Sequence, residues 1–259
     1  MKIALVGYGK MGHMIESCAK SLGHEVVATI DVMAEDASVI VKSGDVKAVA
    51  DAVKNSGADG VIEFSHPSAV MGNLKALIPL RIPVVVGTTG WGDKEEEIED
   101  LCKSTGGTVM RSSNFSIGVN MFYKIVEEAA KIMAEYSEYD VAIWEAHHNQ
   151  KADSPSGTAL EVARRVMSGN KTKTEMVFDA FHDRPKPEQL HVSSTRVGFV
   201  PGTHTVFFDS PADEIEVTHR ARNREGFARG SVVALEKLVE KLSSGSLKAG
   251  NLYGMSDLF

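Results

Sequence analysis

Residues 2–6, KIALV, run straight into Gly7-Tyr8-Gly9-Lys10-Met11-Gly12, and that junction constrains the fold more than any other feature of the chain. A short apolar run that ends at a glycine fits a strand buried on both faces. From Met11 to Leu22 the apolar spacing turns helical, and Gly23 stands where a helix C-cap belongs. Each glycine of the turn has its own task. Gly7 lets the chain turn sharply, Gly9 lets the backbone approach a pyrophosphate, and Gly12 lets the helix lie close to the strand. Common in isolation, the glycine pattern gains its weight from the strand before it and the helix after it.

The alternation continues. EVVATI (25–30), GVIEF (60–64), IPVVVG (82–87) and GTVMRSS (107–113) are expected strands. Helices are expected over 46–55, 68–77 and 94–104. Strands and helices in strict alternation build a doubly wound parallel sheet of Rossmann type. Asp31 closes the second strand, where a carboxylate can accept both hydroxyls of an adenosine ribose. A carboxylate also repels a 2′-phosphate, so NADH is expected over NADPH. Lys10 and Lys42 are the cations that could offset it. Gly87-Thr88-Thr89-Gly90 and Ser112-Ser113-Asn114-Phe115 follow two later strands, at the sheet edge where such folds bind ligands. Each is either a cofactor contact or a turn held by its own hydroxyl and amide groups; the residues alone leave both open.

The pattern changes near residue 117. A long helix over 119–134 is followed by the strand DVAIWEAHH, a helix over 157–167, and four β-rich runs between 174 and 218. These imply a second, α+β domain with a mixed or antiparallel sheet. The helical tail FARGSVVALEKLVEKLSS suits a return to the first domain. The expected division is therefore residues 1–117 with 228–259 for the dinucleotide-binding domain. Residues 118–227 form the second domain, expected to bind substrate. Hinges fall near 117 and 228, with closure over an interdomain cleft.

Between these parts lies EAHHNQKADSPSGTAL, residues 145–160. Glu145, His147, His148, Lys151 and Asp153 crowd into nine positions, which an apolar core has no use for. Zinc is disfavoured because HEXXH is absent and no cysteine helps. A serine nucleophile is disfavoured because Ser154 and Ser156 lack the GxSxG elbow. A Schiff-base role for Lys151 and a plain solvated loop are weaker fits. General acid–base chemistry beside an anion site fits best. Histidine titrates near neutrality, lysine can protonate, and Ser156-Gly157-Thr158 opens a helix whose free N–H groups can grip a carboxylate. Glu145 and Asp153 are expected to orient the bases. Arg196 and Gly198 either line the site or serve structure alone, while His191, His204 and His219 are expected to hydrogen-bond within strands.

E-A-H-H-x-x-K-x-D-x-P-S-G-T-A resembles the defining loop of the 4-hydroxy-tetrahydrodipicolinate reductase family, long called dihydrodipicolinate reductase. G-x-G-x-M-G, V-x-G-T-T-G, S-N-F-S-x-G-V-N, H-T-V-x-F, E-x-T-H and F-A-x-G stand in the family's order across nearly the whole chain. The resemblance implies reduction of a cyclic hydroxy-imine dicarboxylate in lysine and diaminopimelate biosynthesis. It implies His147 as proton donor or acceptor and Lys151 as proton donor. His148, Gly157 and Thr158 would bind substrate, with Ser156 beside them. Gly7, Tyr8, Gly9, Lys10, Met11, Gly12, Asp31, Gly87, Thr88, Thr89, Ser112, Ser113, Asn114 and Phe115 would bind the nicotinamide cofactor. A homotetramer built through the second domain is also implied. Val32 follows Asp31 where many members carry a basic residue that helps accept either cofactor, which argues against dual cofactor use. The competing readings are another two-domain nicotinamide-dependent reductase or amino-acid dehydrogenase, and a non-catalytic nucleotide sensor. The sensor would lose His147 or Lys151, and this chain keeps both.

A formal charge of -7 argues against a nucleic-acid or anionic-membrane binder. No apolar run is long enough to span a membrane. Cys18 and Cys102 show no metal or disulfide spacing and are expected as reduced, buried thiols, which suits a cytoplasmic setting.

Overall fold

The computed structural model describes residues 1–258. In chain order the first unit runs β1 (Lys2–Val6), α1 (Lys10–Ser21), β2 (Glu25–Asp31), β3 (Val39–Ile40), α2 (Val46–Ser56), β4 (Gly60–Glu63), α3 (Val70–Leu77), β5 (Val84–Val86), α4 (Glu95–Thr105) and β6 (Val109–Arg111). The second unit follows with α5 (Ile117–Met133), β7 (Asp140–His147), α6 (Gly157–Gly169), β8 (Glu175–Val177), β9 (Gln189–Arg196), β10 (Thr203–Asp209) and β11 (Glu214–Arg220). The chain then rejoins the first unit through α7 (Glu225–Ser243) and β12 (Leu252–Tyr253). Compactness divides it into Met1–Ser116 with the segment from Glu225 onward, and Ile117–Arg224.

The first unit is a seven-stranded sheet in the order β12-β6-β5-β4-β1-β2-β3, parallel at every pairing. Its strands are short and apolar because both faces are covered. Ile3 and Leu5 point to α1 and α7, where they pack with Ile15, Leu235 and Leu238. Ala4 and Val6 point to the other side and pack with Val49, Leu74 and Leu77 of α2 and α3. Asp45 caps α2 by accepting the Ala48 N–H at 3.0 Å, and Gly57, at φ +67°, ends it.

The second unit lays α5 and α6 on one face of a five-stranded sheet ordered β11-β10-β7-β9-β8. Phe122 and Val126 of α5 and Val162 and Val166 of α6 pack on Ile143, Val192, Val206 and Phe208. Strands β11, β10 and β7 are antiparallel, whereas β7, β9 and β8 are parallel, so the sheet is mixed. Some expected elements are shorter. The strand expected over MVFDAF stops at Val177, and the helix expected from Ser68 begins at Val70 after a turn. Both cysteines are buried and free. Among the described residues no helix is long and apolar enough to cross a membrane.

Candidate active site

In the first unit the strand order reverses between β1 and β4, so the loops leaving them diverge and open a crevice. Gly7 has φ +94°, and a Cβ there would stand 2.2 Å from the Phe64 carbonyl oxygen, a backbone atom that cannot yield. A Cβ on Gly12 would meet the Gly7 carbonyl oxygen at 2.5 Å. Gly9 is different, because nothing lies within 4 Å of its missing Cβ. Packing therefore demands Gly7 and Gly12, while Gly9 leaves room for an approaching ligand. Gly9 is also the N-cap of α1 and brings no side chain to the helix's first N–H groups, which suits phosphate.

A cleft of about 440 Å³ opens here, lined by Gly9, Lys10, Met11, Gly87, Thr88 and Thr89, together with Phe64, Ser65 and Pro67. A second, of about 200 Å³, shares Thr88 and Thr89 and adds Trp91, Arg111, Ser112 and Ser113. The Arg111 guanidinium lies 5.5 Å from the centre of the Trp91 ring and pairs with Glu95. Asp31 accepts N–H groups from Tyr8 at 2.6 Å, Met33 at 2.8 Å and Ala34 at 3.1 Å. Burial opposes its charge, but these backbone donors outweigh burial and hold the carboxyl below its ordinary value.

Several expected cofactor residues point elsewhere. The Tyr8 hydroxyl donates to Glu16 and its ring stacks on His13, so its backbone is what faces the glycine turn. The Glu16 hydrogen bond, with burial, pushes the phenol up to about 12. Phe115 is 2 % exposed and packs in the core beside Phe64. Asn114 is buried; its N–H donates to Ser112 Oγ and its Oδ1 accepts the Ser116 N–H. Lining of the cleft thus reaches Ser112 and Ser113, and the next two residues hold the turn. Phe64, Ser65, Trp91 and Arg111 were not anticipated. The Phe64 ring lies where a Cβ on Gly87 would strike it at 1.9 Å, a proximity that only the folded sheet creates.

In the second unit, β7 alternates faces, and its core-facing row reads Val141, Ile143, Glu145, His147. The row begins apolar and ends in a carboxylate and an imidazole. Glu145 is fully buried and its Oε2 meets His147 Nδ1. Its Oε1 lies 2.8 Å from Arg196 Nη2 and 3.4 Å from the Ser156 N–H. Burial opposes the Glu145 charge, yet the bonds from His147 and Arg196 outweigh it and hold the carboxyl at about 2. Arg196 arrives by topology: β9 runs parallel to β7 in a register that sets Arg196 against His147. The same guanidinium donates to the Asp153 carbonyl at 2.6 Å, tying the loop to the sheet.

Ser156 caps α6, accepting the Ala159 N–H at 3.1 Å, and its Oγ sits 3.2 Å from His204 Nε2. Burial, then the neighbouring His147, pushes His204 down to about 3, so its imidazole is neutral. Lys151 lies 2.8 Å from Asp153 Oδ1. Lys151 first, and the Gly157 N–H among others, hold the Asp153 carboxyl down. Thr158 bonds the Tyr123 hydroxyl. His148, half-buried, follows the end of β7, and its carbonyl accepts the Lys151 N–H at 3.1 Å. Glu145, His147 and His204 offer ligand atoms within 4.8 Å of one another. A metal ion there would meet the Arg196 guanidinium already seated on Glu145, so the donor set suits a proton better than a cation. Arg196 and His204 belong to this cluster, although the sequence left Arg196 open and assigned His204 to strand bonding.

Models of the dihydrodipicolinate reductase N-terminus and C-terminus match residues 1–115 and 118–259. The chain belongs to the dihydrodipicolinate reductase family. It is 37 % identical over 260 residues to a 4-hydroxy-tetrahydrodipicolinate reductase of Christiangramia forsetii, covering 100 % of this chain and 99 % of that one. It is 36 % identical to that of Archaeoglobus fulgidus, over 90 % of this chain and 92 % of the relative. A dipicolinate-bound dihydrodipicolinate reductase of Paenisporosarcina sp. TG-14 shares the fold, with TM-score 0.78 and 20 % identity over 100 % and 99 % of the two chains. Membership of this family makes the chain a nicotinamide-dependent oxidoreductase.

Proposed function

We propose that this enzyme uses NADH, in preference to NADPH, to reduce 4-hydroxy-tetrahydrodipicolinate to tetrahydrodipicolinate in lysine and diaminopimelate biosynthesis. One observation carries the reading: a relative bearing that activity in its name aligns with 100 % of the chain. The glycine turn fits the cofactor, since Gly9 leaves its backbone open and the first N–H groups of α1 have no side-chain cap. A reduced nicotinamide bound in this cleft would supply the hydride. The Asp31 carboxylate, held ionised by backbone donors, would accept ribose hydroxyls and repel a 2′-phosphate.

The second unit handles the proton and the carboxylates. Hydride addition to a carbon conjugated with an imine builds charge on the nitrogen side, and a positioned acid must quench it. Lys151, oriented by Asp153, is the proton donor in this reading. Glu145 holds His147 through Nδ1 and leaves Nε2, beside the side-chain-free Gly202, to exchange a proton with substrate. His148 and the start of α6 at Ser156, Gly157 and Thr158 grip a carboxylate. The sheet face away from α5 and α6 carries half-buried Ala142, Trp144 and Phe207, which supports a homotetramer assembled through the second unit, and the two free, buried cysteines suit a cytoplasmic setting. The test is loss of reduced-nicotinamide absorbance when substrate is made in situ by the condensing synthase that precedes such a reductase. Folded protein that shows no turnover overturns the assignment.

A further inference from the structure

Glu63 ends β4, a central strand of the first unit, and none of the roles above uses it. It is 0 % exposed, an unusual place for a carboxyl. Three neutral groups reach it from three elements. Ser65, in the loop after β4, donates its hydroxyl to Oε1. Asn73, buried on α3, donates its amide to the same oxygen at 3.1 Å. The Thr88 hydroxyl, in the loop after β5, lies close to the same carboxyl. Glu63 Oε2 and Thr88 Oγ1 are both buried, and neither has a hydrogen-bond partner. Among the described residues every partner of this carboxyl is uncharged, and the nearby His66 turns its ring to Ser68 instead. Ser65 and Thr88 both line the larger cleft, and Thr88 lines the smaller one too.

We propose that Glu63 is a positioning residue of the cofactor cleft, its buried carboxyl locking the Ser65 and Thr88 loops to α3 in one frame. The carboxyl works in its protonated form. Ser65 and Asn73 satisfy Oε1, and the O–H on Oε2 donates to Thr88 Oγ1, giving each buried oxygen a partner. Burial pushes the carboxyl up from its ordinary value, in keeping with a neutral acid among neutral neighbours. An amide has the same shape and can repeat that donation. The inference rests on the reading that this cleft holds a nicotinamide cofactor.

The test measures NADH and NADPH dissociation constants, cofactor KM and kcat for full-length wild type, Glu63→Gln and Glu63→Ala. Glu63→Gln is expected to bind within about threefold of wild type. Glu63→Ala is expected to lose about tenfold in affinity and in cofactor KM while kcat at saturating cofactor holds, the worth of about one buried hydrogen bond. Denaturation adds a readout independent of the cofactor. A carboxyl raised in the folded state loses stability as pH rises above 4.5, its ordinary value, whereas glutamine has no charge to lose. Glu63→Gln should therefore gain on wild type as the pH is raised. Wild-type affinity in Glu63→Ala overturns the proposal, as does a Glu63→Gln that binds as weakly as the alanine variant or a stability difference that ignores pH. Should Glu63→Ala fail to fold, the glutamine comparisons decide alone. Wild type binding neither cofactor would overturn the cofactor reading together with this one.

Discussion

Glu145→Gln removes one negative charge from a place where water cannot compensate. The side chain is 0 % exposed and faces both His147 and Arg196. Burial disfavours its charge, and the hydrogen bonds from His147 and Arg196 more than reverse that, taking the carboxyl from 4.5 to about 2. A depression of that size is worth about 3 kcal/mol of stability. Because the folded value is depressed, this contribution is present above 4.5 and drains away as the pH falls toward 2. The glutamine variant never has it and leaves the Arg196 guanidinium facing an amide. At neutral pH its unfolding free energy should be lower by about 3 kcal/mol, and the gap should close through the acid range. Urea titration by tryptophan fluorescence reads this directly. The chain has 2 tryptophans, so Trp91→Phe leaves Trp144, beside Glu145, as the reporter. A gap below about 1 kcal/mol at neutral pH, or one that persists unchanged in acid, refutes the reasoning. The same variant frees His147 to adopt the wrong tautomer, so kcat should also fall by roughly 10²–10⁴.

Lys151→Ala should lower kcat by roughly 10²–10⁴ in the steady-state assay. Its effect on stability should stay within about 0.5 kcal/mol, because its partner Asp153 is 56 % exposed. Gly7→Ala and Gly9→Ala should separate packing from ligand approach. Gly7→Ala drives a Cβ into the Phe64 carbonyl and should cost about 3 kcal/mol by chemical denaturation. Gly9→Ala should leave stability within about 0.5 kcal/mol yet weaken NADH about tenfold in a binding titration. Asp31→Asn keeps an acceptor for the backbone N–H groups but drops the charge; comparison of kcat/KM should show the NADPH-to-NADH ratio rising about tenfold. An unchanged ratio would remove Asp31 from cofactor choice.

The parallel sheet was legible because its strands announce themselves twice, as apolar runs and as glycine-bearing ends. Val39–Ile40 and Leu252–Tyr253 were not, since two residues carry no period. The loop from Glu145 to Thr158 could be read locally because its residues are neighbours in the chain. What completes the cluster is distant in sequence. Arg196 reaches Glu145 only because β9 pairs parallel to β7, and His204 reaches Ser156 only because β10 lies on the other side of β7. Strand pairing in a mixed sheet is a tertiary outcome that no local pattern encodes. Asn114 and Phe115 show another limit of local reading. Motif position points them at a ligand, while their side chains are buried in a turn and a core, which leaves the backbone for any contact.

The route of the chain has a consequence for its synthesis. The second unit is one uninterrupted segment, Ile117–Arg224, whereas the first is finished only by α7 and β12. Val232, Leu235 and Leu238 cover the face that carries Ile3, Leu5, Ile62 and Val85. On a ribosome the inner segment can complete its own packing while that earlier face, covered by α1 alone, still waits for residues not yet made. A chain truncated before α7 would therefore keep a foldable middle and leave part of an apolar sheet face exposed at its beginning, and chaperones or proteases would meet that face first.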